Sequence, residues 1–158
     1  MRHRESAGLL MFRRTASGEA TAIEVLLAHP GGPYWESRHE GAWSIPKGGR
    51  EPHETPLEAA IREFREETSC EPAGPFHPLG RITQRSGKVV HAWAFEGDCD
   101  ITCASSINTR TEWPQRSGKF IEIPEVDRVE FFSIDAARAV INVGQARLLD
   151  RLLDLLSG

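Results

Sequence analysis

Cysteine is scarce in this chain of 158 residues, and neither a long apolar run nor an excess of positive charge is present. The three cysteines, Cys70, Cys99 and Cys103, are an odd count for a disulfide scaffold, which favours a reducing compartment and hence the cytoplasm. The net charge is −4, from 19 basic and 23 acidic residues. No broad nucleic-acid or membrane-surface binding is therefore expected.

The amino-terminal segment holds an apolar run of only four residues, Leu9 to Phe12. This run is too short for a signal peptide or a membrane span, so neither is expected. Hydrophobic residues make up 39% of the chain and charged residues 27%, a globular composition. The length predicts one domain over residues 1–158 with a core of its own.

The predicted elements mix strands with helices. Apolar runs bounded by turn residues predict strands at 7–14, 22–30, 76–84, 88–97 and 126–134, with a short extended piece at 42–49. Residues 97–118 are polar and are predicted to form a loop. Apolar periodicity predicts helices at 135–141 and 145–156, the leucines of the second forming core. This order predicts an α/β fold with helices packed around a mixed β-sheet.

The best-marked helix begins after Thr55. Thr55 suits the N-cap, Pro56 suits the first helical position, and Glu58 completes a T-x-x-E capping box. Apolar residues then recur at helical spacing and predict a buried stripe of Leu57, Ala60, Ile61 and Phe64.

The same helix carries an acidic cluster, Glu63, Glu66 and Glu67. At 100° per residue the three span an arc of roughly 100°, centred about 120° from the apolar stripe. Like charges at this spacing cost about 0.2–0.5 kcal/mol per pair. The cluster is therefore predicted to leave the core side, either as a solvated acidic face or as oxygen ligands of a hard cation such as Mg²⁺ or Mn²⁺.

The whole stretch from Gly48 to Cys70 resembles the Nudix box, G-x5-E-x7-R-E-U-x-E-E-x-G-U, in which U is apolar. Gly48, Glu54 and the run Arg62-Glu63-Phe64-Arg65-Glu66-Glu67 match the pattern at its spacing. Ser69 replaces the glycine of the pattern, at a left-handed position that costs serine about 1 kcal/mol more than glycine.

The resemblance implies the Nudix α/β/α sandwich and hydrolysis of a nucleoside diphosphate linked to another moiety, with Mg²⁺ or Mn²⁺ as cofactor. By position, it implies three glutamate ligands and a loop glycine for the metal: Glu63, Glu66, Glu67 and Gly48. One glutamate would also act as the base. Arg62 would hold a glutamate in place, and Glu54 would give structural or catalytic support.

A carboxylate outside the box is also expected, because family members often draw one from a later loop. The segment 120–130 offers Glu122, Glu125 and Asp127, and Pro124 favours a turn that directs Glu125 at the metals. A solvated acidic loop is the alternative for each of these residues.

The segment W-x-x-P-K-G, residues 43–48, resembles Nudix enzymes that act on dinucleoside polyphosphates, inositol pyrophosphates or nucleoside triphosphates. A long polyphosphate suits Lys47 and the basic residues of two QRSGK segments, at 84–88 and 115–119, if their loops face the site. These basic residues are Arg85, Lys88, Arg116 and Lys119; solvated turns are the alternative. Purine bases would stack on aromatic side chains, best on Tyr34 and Trp35 of the Gly/Pro-rich loop, with Trp93 and Trp113 as further candidates. Trp43 and Trp93 also suit core strands.

The favoured function is therefore hydrolysis of a small nucleoside polyphosphate, with dinucleoside tetraphosphates ahead of triphosphates. The alternatives are a catalytically silent nucleotide sensor and a hydrolase of ADP-ribose, nucleotide sugars or inositol pyrophosphates. An isoprenyl diphosphate isomerase would need Cys99 or Cys103 as its catalytic cysteine. No nucleic-acid or membrane partner is expected, and a homodimer is left open.

Overall fold

Eight strands and three helices form the described part of the chain. The computed structural model describes residues 5–17, 20–101, 108–112, 114, 116–124 and 126–158. The strands are β1 (Glu5–Ser17), β2 (Ala20–Pro30), β3 (Lys47–Gly49), β4 (His77–Thr83), β5 (Val89–Glu96), β6 (Asn108–Glu112), β7 (Phe120–Pro124) and β8 (Val126–Ser133). The helices are α1 (Pro56–Thr68), α2 (Ile134–Val140) and α3 (Ala146–Ser157).

The main sheet has the order β4-β5-β1-β2-β8, and β3 pairs with the start of β1. β1 and β5 run parallel, whereas β1 is antiparallel to β2 and β3, β2 to β8, and β4 to β5. A hairpin turn at Ser86-Gly87 joins β4 to β5.

Side chains of β1 alternate between two separate apolar cores. Leu10 and Phe12 belong to a core that includes Leu148 of α3, whereas Leu9 belongs to a core that includes Phe64 of α1. This alternation follows from the two-residue period of a strand. The sheet therefore lies between α1 on one face and α2 with α3 on the other, which confirms the predicted α/β/α sandwich.

Helix α1 begins as its sequence predicts. Thr55 Oγ1 accepts a hydrogen bond from the Glu58 amide at 3.2 Å, and a Glu58 carboxylate oxygen accepts one from the Thr55 amide at 2.8 Å. At the other end Ser69 has φ 61°, the left-handed conformation that the pattern fills with glycine. Both ends of the helix are thus fixed by local chemistry.

The predicted loop at 97–118 is wrong in part. β6 lies inside this segment and pairs antiparallel with β7, forming a two-stranded sheet apart from the main one. The sequence of β6, NTRTE, is wholly polar, so no apolar alternation marks it as a strand. Residues 102–107, 113 and 115, including the stacking candidate Trp113, lie outside the described residues.

The terminal helix matches its prediction to within one residue at each end. Leu148, Leu149 and Leu152 are fully buried, but Leu155 is exposed near the end of the chain, so the prediction that all its leucines are core is wrong there. None of the described helices is long and apolar enough to span a membrane.

Two of the three cysteines form a pair that the odd cysteine count did not predict. Cys70 and Cys99 are joined as a disulfide, with their Cα atoms 6.1 Å apart. Cys70 follows α1 and Cys99 follows β5, and both side chains pack against the core beneath α1. The fold thus brings together two cysteines that are 29 residues apart. Cys103 lies outside the described residues.

Candidate active site

Arg62 joins the box helix to the loop that precedes it. Its Nε donates to Glu54 Oε2 at 2.7 Å, and its Nη2 donates to Glu54 Oε1 at 2.9 Å and to the Gly49 carbonyl at 3.0 Å. Its Nη1 donates to Glu63 Oε1 at 2.9 Å and reaches the Glu66 carboxylate at 3.3–3.4 Å. One guanidinium therefore holds two of the three clustered glutamates, Glu63 and Glu66.

The Arg62–Glu54 pair is the strongest electrostatic feature of this network. The Arg62 hydrogen bonds lower the pKa of Glu54 from 4.5 to about 2, against the opposing effect of desolvation. The same hydrogen bonds raise the pKa of Arg62 above its usual value, so the guanidinium stays charged. A bidentate guanidinium–carboxylate pair of this kind fixes geometry as well as charge.

This pair predicts an acid-dependent loss of stability. Because the folded-state pKa of Glu54 lies below its ordinary value, its stabilisation is complete above about pH 4.5 and is lost as the pH falls toward 2. We expect Glu54→Gln to be about 1 kcal/mol less stable than the wild type at pH 6, with the difference vanishing near pH 2. Urea unfolding of both proteins between pH 2 and 6 measures this. A constant difference across that range would contradict the assignment.

Two of the clustered glutamates are buried, which corrects the prediction that they leave the core side. Glu63 and Glu67 are only 8% and 7% exposed. They fall one turn apart on a face shared with Ala60 and Phe64, and that face packs against β1 and β3. The apolar residues of α1 predict only part of its buried face. In the structure, β3 also covers the acidic edge of the helix. Glu66 remains partly exposed.

Gly48 leaves the space that the Glu63 carboxylate occupies. A Cβ added at Gly48 would overlap the Glu63 carboxylate carbon and both of its oxygens. The antiparallel pairing of Gly48 with Ala7 fixes the backbone at this point. The first glycine of the box is therefore required by the close approach of a carboxylate to the β3 backbone.

Lys47 and Glu67 meet at a cavity beside the cluster. The Lys47 amide donates to Glu67 Oε1 at 3.3 Å, and both residues line a cavity of about 140 Å³. The rest of its wall comes from the end of β2, the segment before β3 and the start of β8, chiefly Ala28, Pro30, Ala42, Ser44, Ile45 and Val126. Burial lowers the pKa of the Lys47 ammonium and the nearby Lys88 charge lowers it further, while Glu67 and Glu63 oppose both effects.

The other predicted substrate-binding residues are placed differently. Lys88 lies close enough to affect Lys47, whereas Arg85 of the same turn lines a separate cavity. Tyr34 and Trp35 pack edge to face with ring centroids 4.8 Å apart, and neither is part of the wall beside Glu67. Their stacking role stays a prediction. Glu125 lies outside the described residues, and so does the side chain of Glu122.

His29 is a buried polar residue near the cavity that the sequence reasoning missed. Its Nε2 donates to the Arg38 carbonyl at 2.6 Å, and its Nδ1 lies 2.9 Å from Asp127 Oδ1. His29 thereby ties the loop after β2 to the start of β8, next to the wall residues Pro30 and Val126. Its position at the end of the apolar run VLLA was the only signal in the sequence.

The glutamate cluster fits a divalent cation by its chemistry. Within the ranges that the structure describes, no three His, Cys, Asp or Glu side chains form a ready-made metal site. Arg62 instead draws Glu63 and Glu66 toward itself. Yet Glu63, Glu66 and Glu67 supply only carboxylate oxygens, from adjacent helical positions, and such ligands suit Mg²⁺ or Mn²⁺. These three residues are the ones that would hold the ion.

Comparison with known proteins identifies the family. The NUDIX domain model matches residues 2–152, and the chain belongs to this family. An RNA pyrophosphohydrolase of Erythrobacter litoralis (strain HTCC2594) is 37% identical over 68 residues, which cover 43% of this chain and 35% of that protein. The matched part spans about a third of the length of the curated relatives.

Solved structures share the fold over nearly the whole chain. A C. elegans Ap4A hydrolase in a binary complex has a TM-score of 0.65 and 22% identity, with 98% of each chain covered. The NUDIX domain of Shewanella oneidensis NrtR, complexed with ADP ribose, has a TM-score of 0.62 and 12% identity, with 99% of this chain and 90% of that one covered. At these identities the likeness extends to the fold alone, and the two named ligands differ.

Proposed function

We propose that this chain is a Nudix pyrophosphohydrolase that cleaves a diphosphate linkage in a nucleoside polyphosphate with Mg²⁺, or Mn²⁺ in its place. The observation that carries the proposal is the cavity where Glu67 of the box meets Lys47. A carboxylate of the acidic cluster and a lysine that line one cavity support the binding of a phosphate chain beside a cation. The charged positions of the box are complete, which favours turnover over a silent sensor.

Each residue of the site has a role that follows from its contacts. Glu63, Glu66 and Glu67 hold the cation, and Gly48 leaves room for the Glu63 carboxylate. When bound, the cation would neutralise phosphate charge and lower the pKa of a water. One carboxylate of the cluster accepts a proton from the attacking water. Arg62 fixes the carboxylates, and Glu54 fixes Arg62.

The substrate side of the cavity is basic and apolar. Lys47 and Lys88 attract the phosphate chain, and their proximity to each other suits an anion with several charges. Tyr34 and Trp35 stack on a base, and Glu125 completes the carboxylate set. The W-x-x-P-K-G segment favours a dinucleoside tetraphosphate over a simple triphosphate.

Comparison of kcat/KM across a substrate panel tests this proposal. The panel is diadenosine tetraphosphate, ATP, GTP, ADP-ribose and a 5′-triphosphorylated oligoribonucleotide, the last included because of the name of the bacterial relative. We expect hydrolysis only with a divalent cation and the highest kcat/KM for the tetraphosphate. A clear preference for ADP-ribose or the oligoribonucleotide would overturn the substrate assignment. Tight binding of a nucleotide without any turnover would overturn the enzyme assignment.

A further inference from the structure

A second cavity is larger than the one beside Glu67 and shares none of its lining residues. Its volume is about 250 Å³, and it forms where the turn after β4 meets the 3₁₀ turn Val143–Gln145 that precedes α3. Its polar wall residues are Thr83, Gln84, Arg85 and Arg147. The cavity is smaller than the 300–1,000 Å³ of drug-sized sites, and it suits a compact group such as a phosphate or diphosphate.

Both arginines of this cavity are exposed, and within the described part of the chain neither has an acidic partner. Most arginine side chains that the structure describes bind a carboxylate or a carbonyl, as Arg138 does with Asp150 at 2.6 Å. In contrast, the side chains of Arg85 and Arg147 have no hydrogen bond or ion pair with any described residue. The wall also contains no Asp or Glu. Asp150 lies one turn after Arg147 on α3, but its carboxylate forms an ion pair with Arg138.

The backbone brings the two arginines together through a close contact at Gly144. A Cβ added at Gly144 would lie 2.9 Å from the Gln84 Cα, so the two turns touch there. Arg85 follows Gln84, and Arg147 is the second residue of α3. Two guanidinium groups on adjoining walls of one cavity suit the several oxygens of a phosphate, which guanidinium binds in a bidentate manner.

One buried side chain connects this cavity to the one beside Glu67. Gln145 Nε2 donates to Gln84 Oε1 and to Ser44 Oγ, both at 2.9 Å, and Gln145 Oε1 accepts from the Ile45 amide at 2.9 Å. Ser44 and Ile45 line the Glu67 cavity, whereas Gln84 lines the arginine cavity. Lys47 follows Ile45 by two residues, about 7 Å along an extended chain. Gln145 therefore makes hydrogen bonds to wall residues of both cavities.

We propose that Arg85 and Arg147 form a phosphate-binding subsite that is separate from the glutamate cluster. It takes the phosphate of a polyphosphate substrate that is remote from the bond being cleaved. This assignment to a substrate rests on the proposed pyrophosphohydrolase function, but the affinity of the subsite for phosphate does not. A free phosphate anion would bind through the same chemistry, so the experiments distinguish a phosphate of the substrate from a free anion.

Titration calorimetry with inorganic tripolyphosphate, in EDTA to remove metal, tests the phosphate chemistry directly. We expect Arg85→Gln and Arg147→Gln each to raise the Kd by roughly tenfold. Arg81→Gln is the matched control, because Arg81 is an exposed arginine of β4 outside the cavity wall. Its Kd should stay within about twofold of the wild type, as expected for an exposed charge that does not line the cavity and is screened by salt. Equal affinity in all four proteins would overturn the proposal.

Steady-state kinetics then identify the source of the phosphate. If the substrate supplies the bound phosphate, the double variant Arg85→Gln/Arg147→Gln should raise KM for diadenosine tetraphosphate by roughly tenfold and keep kcat. KM for ADP-ribose, whose phosphate chain is shorter, should stay unchanged. Weaker tripolyphosphate binding with no change in either KM would assign the subsite to a free anion and overturn its role in substrate binding. Because the calorimetry needs no turnover, failure of the enzyme assignment would be recognised separately.

Discussion

Glu67→Gln is expected to lower kcat by roughly 10²–10⁴-fold, the usual scale for loss of an acid–base group. Glu67 is the carboxylate of the cluster that also lines the cavity with Lys47. A neutral amide would bind a cation poorly and accept no proton, so both proposed roles of this residue would be lost. The substitution keeps the volume of the side chain and the oxygen that accepts from the Lys47 amide. Measurement of kcat at saturating Mg²⁺ checks this.

Glu71→Gln provides the matched control for that variant. Glu71 is an exposed carboxylate just past the end of α1, and Arg65 is its hydrogen-bonded partner. We expect its kcat to stay within about twofold of the wild type, as for most surface substitutions. Thermal unfolding should show both variants folded. A Glu67→Gln enzyme that works at a near-wild-type rate, at matched metal, would contradict the role given to the cluster.

Gly48→Ala is expected to lower kcat by roughly 10²-fold while the protein remains folded. The added methyl group would take the space of the Glu63 carboxylate, which must then rotate away. The atoms displaced belong to the flexible end of a side chain, so the structural cost is small. A displaced metal ligand, in contrast, costs much activity, since a misplacement of about 1 Å can cost 10²-fold. Turnover and the free energy of unfolding, measured on one sample, separate the two effects.

A double-mutant cycle with Glu63→Gln tests whether Gly48 acts through Glu63. If it does, Gly48→Ala should lower kcat far less in the Glu63→Gln background than in the wild type, because the ligand is already lost. If the fold-decreases in kcat caused by the two substitutions instead multiply, Gly48 matters for another reason. The explanation by steric displacement would then be wrong.

Local chemistry made the box helix predictable from sequence. Thr55, Pro56 and Glu58 satisfy its first turn without help from the rest of the fold, and the left-handed conformation of Ser69 ends it. The five longer strands of the main sheet were equally plain, because their apolar residues alternate or run together. These signals act within a few residues, so they can be read before any tertiary contact is known.

The orientation of the glutamates could not be predicted in the same way. It depends on β3, which has three residues and no apolar pattern, and on its pairing with the start of β1. That pairing covers the acidic edge of α1 and buries Glu63 and Glu67. A helical wheel contains no information about such a neighbour.

Long-range contacts account for the other differences. Cys70 meets Cys99 because α1 packs on the sheet, and His29 meets Asp127 because β2 and β8 lie side by side. Because Cys99 is paired with Cys70, it no longer offers the free thiol that an isoprenyl diphosphate isomerase would need, and Cys103 is the other candidate. Gln145 likewise gains its partners from two different segments of the chain. Each of these residues looks ordinary in its own sequence window.

The most direct test of the whole account is the hydrolysis of diadenosine tetraphosphate by the wild-type protein as metal is withdrawn and returned. With Mg²⁺ present, we expect turnover that EDTA abolishes and that excess Mg²⁺ or Mn²⁺ restores. At each metal concentration that supports turnover, we expect the Glu67→Gln protein to be roughly 10²–10⁴-fold slower than the wild type. Turnover that persists in EDTA, or binding of the nucleotide with no product at any metal concentration, would contradict it.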